Sequence, residues 1–182
     1  MKKRSKRWLT FTGIIFILLA AFIIFLMESQ GSLSGKIKDG LIGIVTRSIK
    51  SSTVPKINVE AAAANPSEYV FLDSRQKKEY DVSHIKNAVY IGDQDFSIDR
   101  LSGIPKNADI VVYCSVGVRS DKIAKEILDA GYTNVHNMLG GIFEWMNKGK
   151  SVYDASGTPT EAVHGYSRFW GALVNSDHKV YD

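Results

Sequence analysis

The 182-residue sequence contains one cysteine, four prolines and four histidines. A single thiol cannot close an internal disulfide, so no covalent framework shapes the fold. His84, His136, His164 and His178 lack the short ligand spacings of a metal site, with each other or with Cys114. No metal and no cofactor are expected. Positive charge is also scarce where a nucleic-acid binder would need it. Residues 1–50 hold nine of the 23 Lys and Arg but two of the 19 Asp and Glu, which leaves fourteen cations against seventeen anions in the remainder. That slightly acidic remainder lacks the electrostatic footprint of a nucleic-acid partner. Internal repeats and low-complexity tracts are absent as well.

The basic excess sits at the amino terminus. "MKKRSKR", residues 1–7, carries five cations, and no charge interrupts "WLTFTGIIFILLAAFIIFLM", residues 8–27. Twenty such residues rise about 30 Å as a helix, the thickness of a bilayer core. The pattern predicts a single-pass transmembrane helix acting as a signal anchor, with 1–7 a cytoplasmic tail and the following chain on the extracytoplasmic side, periplasmic or extracellular. A cleaved signal peptide is the competing reading; its apolar region is shorter, and "SQG" at 29–31 is a poor cleavage site.

Residues 28–55 form a juxtamembrane linker. Leu33, Ile37, Leu41, Ile44, Val45 and Ile49 recur near a helical period. The segment is either an amphipathic helix on the lipid surface or a spacer loosened by its glycines. Ser51 to Pro55 marks the domain boundary.

From Lys56 onward, short β-branched runs alternate with helical stretches. "KINV", "YVFLD", "AVYI", "DIVVYC" and "NVHNM" read as strands; "EAAAANPSE", "QKKEYDVSHI", "SDKIAKEILDAG" and "GIFEWMNKG" read as helices with their flanking loops. "DIVVYC" shows no polar alternation, which suits a strand covered on both faces. The expected class is α/β, with a mainly parallel central sheet and helices on both faces.

In open α/β sheets ligands bind at the carboxyl ends of strands, and Cys114 lies at such an end. The segment after it, "SVGVRS", leads into a helix expected to begin near Ser120 or Asp121. A helix amino terminus, a curled loop of N–H groups and the cation of Arg119 together suit a thiolate nucleophile. A lone cysteine without these neighbours reads as a small buried hydrophobe.

Two stretches then resemble one family. "VFLDSRQKKEYDVSHIKNAVYI" is similar to the first signature of rhodanese-like domains, through Asp73, Arg75, Glu79, Tyr80, His84, Ile85 and Ala88. "VVYCSVGVRSDKIAKEILDAGYTNVHNMLGGIFEW" resembles the second, through Cys114, Gly117, Arg119, Ser120, Ala124, Leu128, Gly131, Val135, Gly140, Gly141 and Trp145. The resemblance covers residues 56–153. It implies a rhodanese-like fold and a sulfurtransferase that carries sulfur as a persulfide on Cys114.

By that resemblance the donor is a small molecule such as thiosulfate, and the acceptor is cyanide, a thiol or a protein thiol. Ser115, Val116, Gly117, Val118 and Ser120 would bind substrate through their N–H groups, Arg119 would hold the donor's negative charge, and Asp73 and Arg75 would brace the loop. His84 would have a structural, hydrogen-bonding role. The six-residue loop from Cys114 to Arg119 is one residue shorter than that of related phosphatases and arsenate reductases, which makes phosphatase the weaker enzyme reading. Ser115 stands where many relatives carry Arg, leaving fewer cations for thiosulfate, and Ser83 stands in place of a common Gly. A rhodanese-like module that binds or tethers a partner without chemistry is the alternative, and the retained Cys114 and Arg119 favour the enzyme.

Residues 154–182 lie outside both signatures. Val163, Tyr166, Trp170, Leu173 and Val174 fall at helical spacing after Thr158 and Pro159, so a C-terminal helical extension is expected. It either packs back on the domain or presents Tyr166, Phe169 and Trp170 to an acceptor.

Overall fold

The computed structural model describes residues 52–182. The basic tail 1–7, the apolar run 8–27 and the linker up to residue 51 lie outside the described residues. Among the described residues no helix is long and apolar enough to cross a membrane.

Five strands make one sheet: β1 (Lys56–Ile57), β2 (Val70–Asp73), β3 (Val89–Tyr90), β4 (Asp109–Tyr113) and β5 (Asn134–Met138). Their order is β1-β5-β4-β2-β3 and every pairing is parallel. β4 is central, flanked by β2 and β5, and "IVVY" within it is fully buried. Parallel strands need crossover connections, and here helices supply them. α1 (Val59–Ala64) links β1 to β2, α2 (Lys77–Val82) links β2 to β3, the short 3-10 turn Ile98–Leu101 lies between β3 and β4, α3 (Val118–Asp129) links β4 to β5, and α4 (Gly141–Asn147) follows β5.

The two-residue period of β2 and β4 sorts the core into two layers. Phe71, Val111 and Tyr113 join Val59 and Ala62 of α1 and Ile142 and Phe143 of α4 on one face. Leu72, Ile110 and Val112 join Ile123, Ala124 and Ile127 of α3 on the other. The α/β arrangement expected from the sequence, a mainly parallel central sheet, is therefore present, with apolar layers on both faces of the sheet.

Two expectations are corrected. α3 begins at Val118, earlier than Ser120 or Asp121, because Gly117 takes φ 98° and turns the chain directly into the helix. The C-terminal extension is not mainly helical. It contains β7 (Pro159–Thr160), paired with β6 (Val152–Tyr153), then β8 (Val163–His164), the one-turn α5 (Arg168–Gly171) and β9 (Lys179–Val180), which pairs with β8. Tyr166, at φ 62°, breaks the helical period; Val163 reaches the core from β8, and Leu173 and Val174 reach it from the turn after α5. Their spacing reflected burial against the α4 side of the sheet.

Candidate functional site

Cys114 is the first residue after β4, and its side chain is buried. The Gly117 N–H donates to Cys114 Sγ at 3.1 Å. The carbonyls at the start of the loop point elsewhere: Ile142 N–H donates to the Cys114 carbonyl at 2.9 Å and Phe143 N–H to that of Ser115 at 3.1 Å. Gly141 permits this contact, since a Cβ there would stand 2.2 Å from the Cys114 carbonyl oxygen. The loop thus has its first carbonyls held by α4 and an amide on the sulfur, the polarity that stabilises an anionic sulfur.

The strand next to β4 braces the loop's base. Ser74 donates to the Tyr113 carbonyl through both its N–H and its Oγ, each at 2.9 Å. On either side of Ser74, Asp73 and Arg75 form a fully buried pair, with Arg75 Nη2 2.7 Å from Asp73 Oδ2 and Nε 3.0 Å from Oδ1. Arg75 Nη2 also donates to the Ser83 carbonyl at 2.5 Å. Burial opposes the charge on Arg75, but Asp73 outweighs it and raises the pKa, so the guanidinium stays charged. The hydrogen bonds of both side chains run to each other and to backbone, at Arg75 N–H and the Ser83 carbonyl.

Arg119 has a partner that the sequence left unassigned. Its Nη1 donates to Glu79 Oε2 and its Nη2 to Glu79 Oε1, both at 2.8 Å, and Nη2 also donates to Ser115 Oγ at 2.9 Å. Ser115 Oγ donates to Glu79 Oε1 at 3.0 Å, and the Gln76 N–H to Glu79 Oε2 at 3.0 Å. Asp93 Oδ2 lies 3.8 Å from Arg119 Nη1, and the guanidinium sits over the Tyr166 ring, 4.8 Å from its centroid. Burial opposes the ionised form of both partners. For Glu79 it is outweighed by the hydrogen bonds and charge of Arg119 together with Arg75, which hold the carboxyl below its usual range. For Arg119 it is outweighed by Glu79, aided by Cys114 and Asp93, which raise its pKa.

The other expected residues divide by direction. Val116 is buried in the apolar layer and Val118 is exposed. Ser120 is buried and donates to Asn137 Oδ1 at 2.7 Å, while Asn137 Nδ2 donates to the Gly117 carbonyl at 2.9 Å and to Asp121 Oδ1 at 3.1 Å. Asp121 is ion-paired with Lys56. Ser120 therefore serves the loop through Asn137, which clamps Gly117. His84 stacks on Tyr80, donates from Nδ1 to the Tyr80 carbonyl at 3.0 Å, and bridges Tyr153 through its backbone.

Glu79, Asp93 and Asn137 were missed as site residues, whereas Tyr166, one of the aromatic residues that the sequence offered to an acceptor, lies over Arg119. Glu79 had one signal: it lies in the first matching stretch. At the third position of α2, however, it also reads as an ordinary capping acid. Among the described residues no group of three or more His, Cys, Asp or Glu is arranged to hold a metal. A groove of about 550 Å³ lined by Met146, Val152, Pro159 and Asn175, among others, contains none of residues 114–120.

Comparison with known proteins adds three findings. The model of the rhodanese-like domain family matches residues 59–148. A tRNA uridine(34) hydroxylase from Pectobacterium atrosepticum is 32% identical over 108 residues, covering 56% of this chain and 29% of that protein. A tRNA uridine(34) hydroxylase from Yersinia pestis is 34% identical over 87 residues, covering 44% and 24%. The chain thus spans less than a third of these relatives. In fold it is similar to the rhodanese-like domain of an Anabaena protein, with TM-score 0.51, 23% identity and coverage of 55% of this chain and 79% of that one. It is also similar to a thiosulfate sulfurtransferase from Pseudomonas aeruginosa, with TM-score 0.52, 19% identity and coverage of 66% and 23%.

Proposed function

We propose, from the match of residues 59–148 to the rhodanese-like domain family, that the chain is a sulfurtransferase that carries sulfane sulfur on Cys114. The Cys114 thiolate attacks the outer sulfur of a donor. With thiosulfate, the new S–S bond forms on Cys114, the old one breaks and sulfite leaves with the electron pair. A thiol or cyanide acceptor, small or on a protein, then takes the sulfur and regenerates the thiolate. Such double displacement predicts ping-pong kinetics.

The observation that carries this reading is the Gly117 N–H on Cys114 Sγ at 3.1 Å, in a loop whose first two carbonyls are held by α4. A donor amide already aimed at the sulfur needs no rearrangement when charge builds there. The apolar run 8–27 would tether the domain to a membrane, on the extracytoplasmic side. In that topology protease reaches the domain in spheroplasts and not in sealed vesicles whose cytoplasmic side faces out.

The identity to two proteins named tRNA uridine(34) hydroxylase favours a second reading, in which the domain serves tRNA modification. The anionic balance beyond residue 50 weighs against it, because phosphate contacts demand a basic surface. The deciding experiment is intact-mass analysis of the protein after exposure to sulfur donors. Sulfur transfer predicts one added sulfur atom mapped to Cys114, lost in Cys114→Ser. If several donors leave the parent unchanged, the reading fails, and tRNA modification or a binding module replaces it.

A further inference from the structure

We propose that Glu79 and Asp93 set the donor preference of this loop, selecting a persulfide, R–S–SH, over the thiosulfate dianion. The inference rests on the sulfur-transfer reading and specifies its donor.

Arg119 is the cation that the loop from Cys114 to Arg119 itself carries. Both of its terminal nitrogens are engaged by both oxygens of Glu79, and Nη2 is shared with Ser115. One face of the guanidinium is covered by Tyr166. Arg75, the other cation acting on Glu79, is itself paired with Asp73. The Arg119–Glu79 pair therefore sums to zero, and Asp93, only 3.8 Å from Nη1 and partly exposed, turns the local balance negative. Lys56 cannot offset it, because it is paired with Asp121. Ser115 and Ser120 contribute neutral hydroxyls whose hydrogen bonds run to Glu79 and Asn137.

A donor with two negative charges meets Asp93 and finds the loop's own cation, Arg119, already paired with Glu79. A persulfide meets less repulsion, and the exposed side chains of Val118 and Tyr166 offer apolar contact to its R group. In the reaction the Cys114 thiolate bonds to the terminal sulfur of R–S–SH. The S–S bond of the donor breaks, R–S⁻ leaves with the electron pair, and Cys114 retains –S–SH with its proton. Atoms and charge balance without an oxidant or reductant.

The test uses the full chain in detergent and follows addition of sulfur to Cys114 by intact mass, with thiosulfate and with 2-hydroxyethyl persulfide. The parent should load faster from the persulfide, and its thiosulfate rate should rise with ionic strength as repulsion is screened. Asp93→Asn should raise the thiosulfate-to-persulfide ratio several-fold and flatten the salt dependence; removing one unit charge about 4 Å from a dianion is worth roughly thirtyfold at solvent-like screening, and less at greater distance. Glu79→Gln should raise the ratio further by freeing Arg119. If Glu79→Gln does not fold, Asp93→Asn and the salt series still decide. A ratio indifferent to Asp93→Asn, or thiosulfate loading that falls with salt, overturns the donor preference and leaves sulfur transfer standing. Loading by neither donor overturns both.

Discussion

Two arginine–carboxylate pairs lie close together near the carboxyl ends of the strands, and they differ in what surrounds them. Asp73 and Arg75 are two residues apart, both sealed from solvent, and engaged with each other and with backbone. Glu79 and Arg119 are forty residues apart; the carboxylate is sealed, but the guanidinium side chain is 19% exposed and lies on the loop that carries Cys114. The sealed pair has no route to a ligand, so its worth is structural. The partly open pair bears on the same atoms that a donor would meet. Similar chemistry thus braces the fold in one place and sets the charge of the site in the other.

The largest break in this comparison is Asp73→Ala. It strands a fully buried guanidinium, and loss of one partner of such a pair costs about 3–5 kcal/mol. Urea unfolding should show that loss, with sulfur uptake per folded molecule little changed. A cost under about 1 kcal/mol would mean that the Ser83 carbonyl alone satisfies Arg75.

Glu79→Ala should cost less, about 1.5–3 kcal/mol, because water can reach the released Arg119. Unlike Asp73→Ala, it should also change the donor ratio. Equal effects of the two substitutions on that ratio would erase the distinction between the pairs.

Acid sharpens the same contrast. The Glu79 carboxyl is held below its ordinary value of 4.5 in the folded state. Its ionised form therefore stabilises the fold above that value, and the contribution is lost as pH falls through the lower folded value. In Glu79→Gln this part of the acid-side decline should be missing from unfolding curves taken across pH 2 to 6. A parent and variant with parallel curves would contradict it.

The smallest effect belongs to Tyr166→Leu. The ring over Arg119 is half exposed, and an exposed cation–π contact contributes about 0.5–1 kcal/mol. Thermal unfolding should register a loss of that size, with the Glu79–Arg119 pair intact. A loss of several kcal/mol would show that Tyr166 anchors the extension as well.

Local signals in the chain were enough for the elements from Lys56 to Asn147. "IVVY" could be read as a doubly covered strand because burial on both faces removes polar alternation, and the helical period of Ile123, Ala124 and Ile127 marked one side of the sheet. The same logic misread residues 154–182. Val163, Leu173 and Val174 fit helical spacing, but Val163 enters the core from β8 and Leu173 and Val174 from the turn after α5, on the far side of the positive-φ Tyr166. Hydrophobic spacing records burial and does not by itself identify the backbone path.

By itself the sequence determined an α/β order of elements, a cysteine at a strand end and a glycine where the loop must turn, because these follow from periodicity and local backbone preference. The tertiary structure alone decided that Arg119 is paired with Glu79, that Asn137 clamps Gly117 through Ser120's neighbourhood, and that Tyr166 covers the guanidinium. Each of these contacts joins residues at least seventeen positions apart. Whether a charge is free or spent depends on which distant group the fold brings within 3 Å, and no local pattern in the chain carries that information.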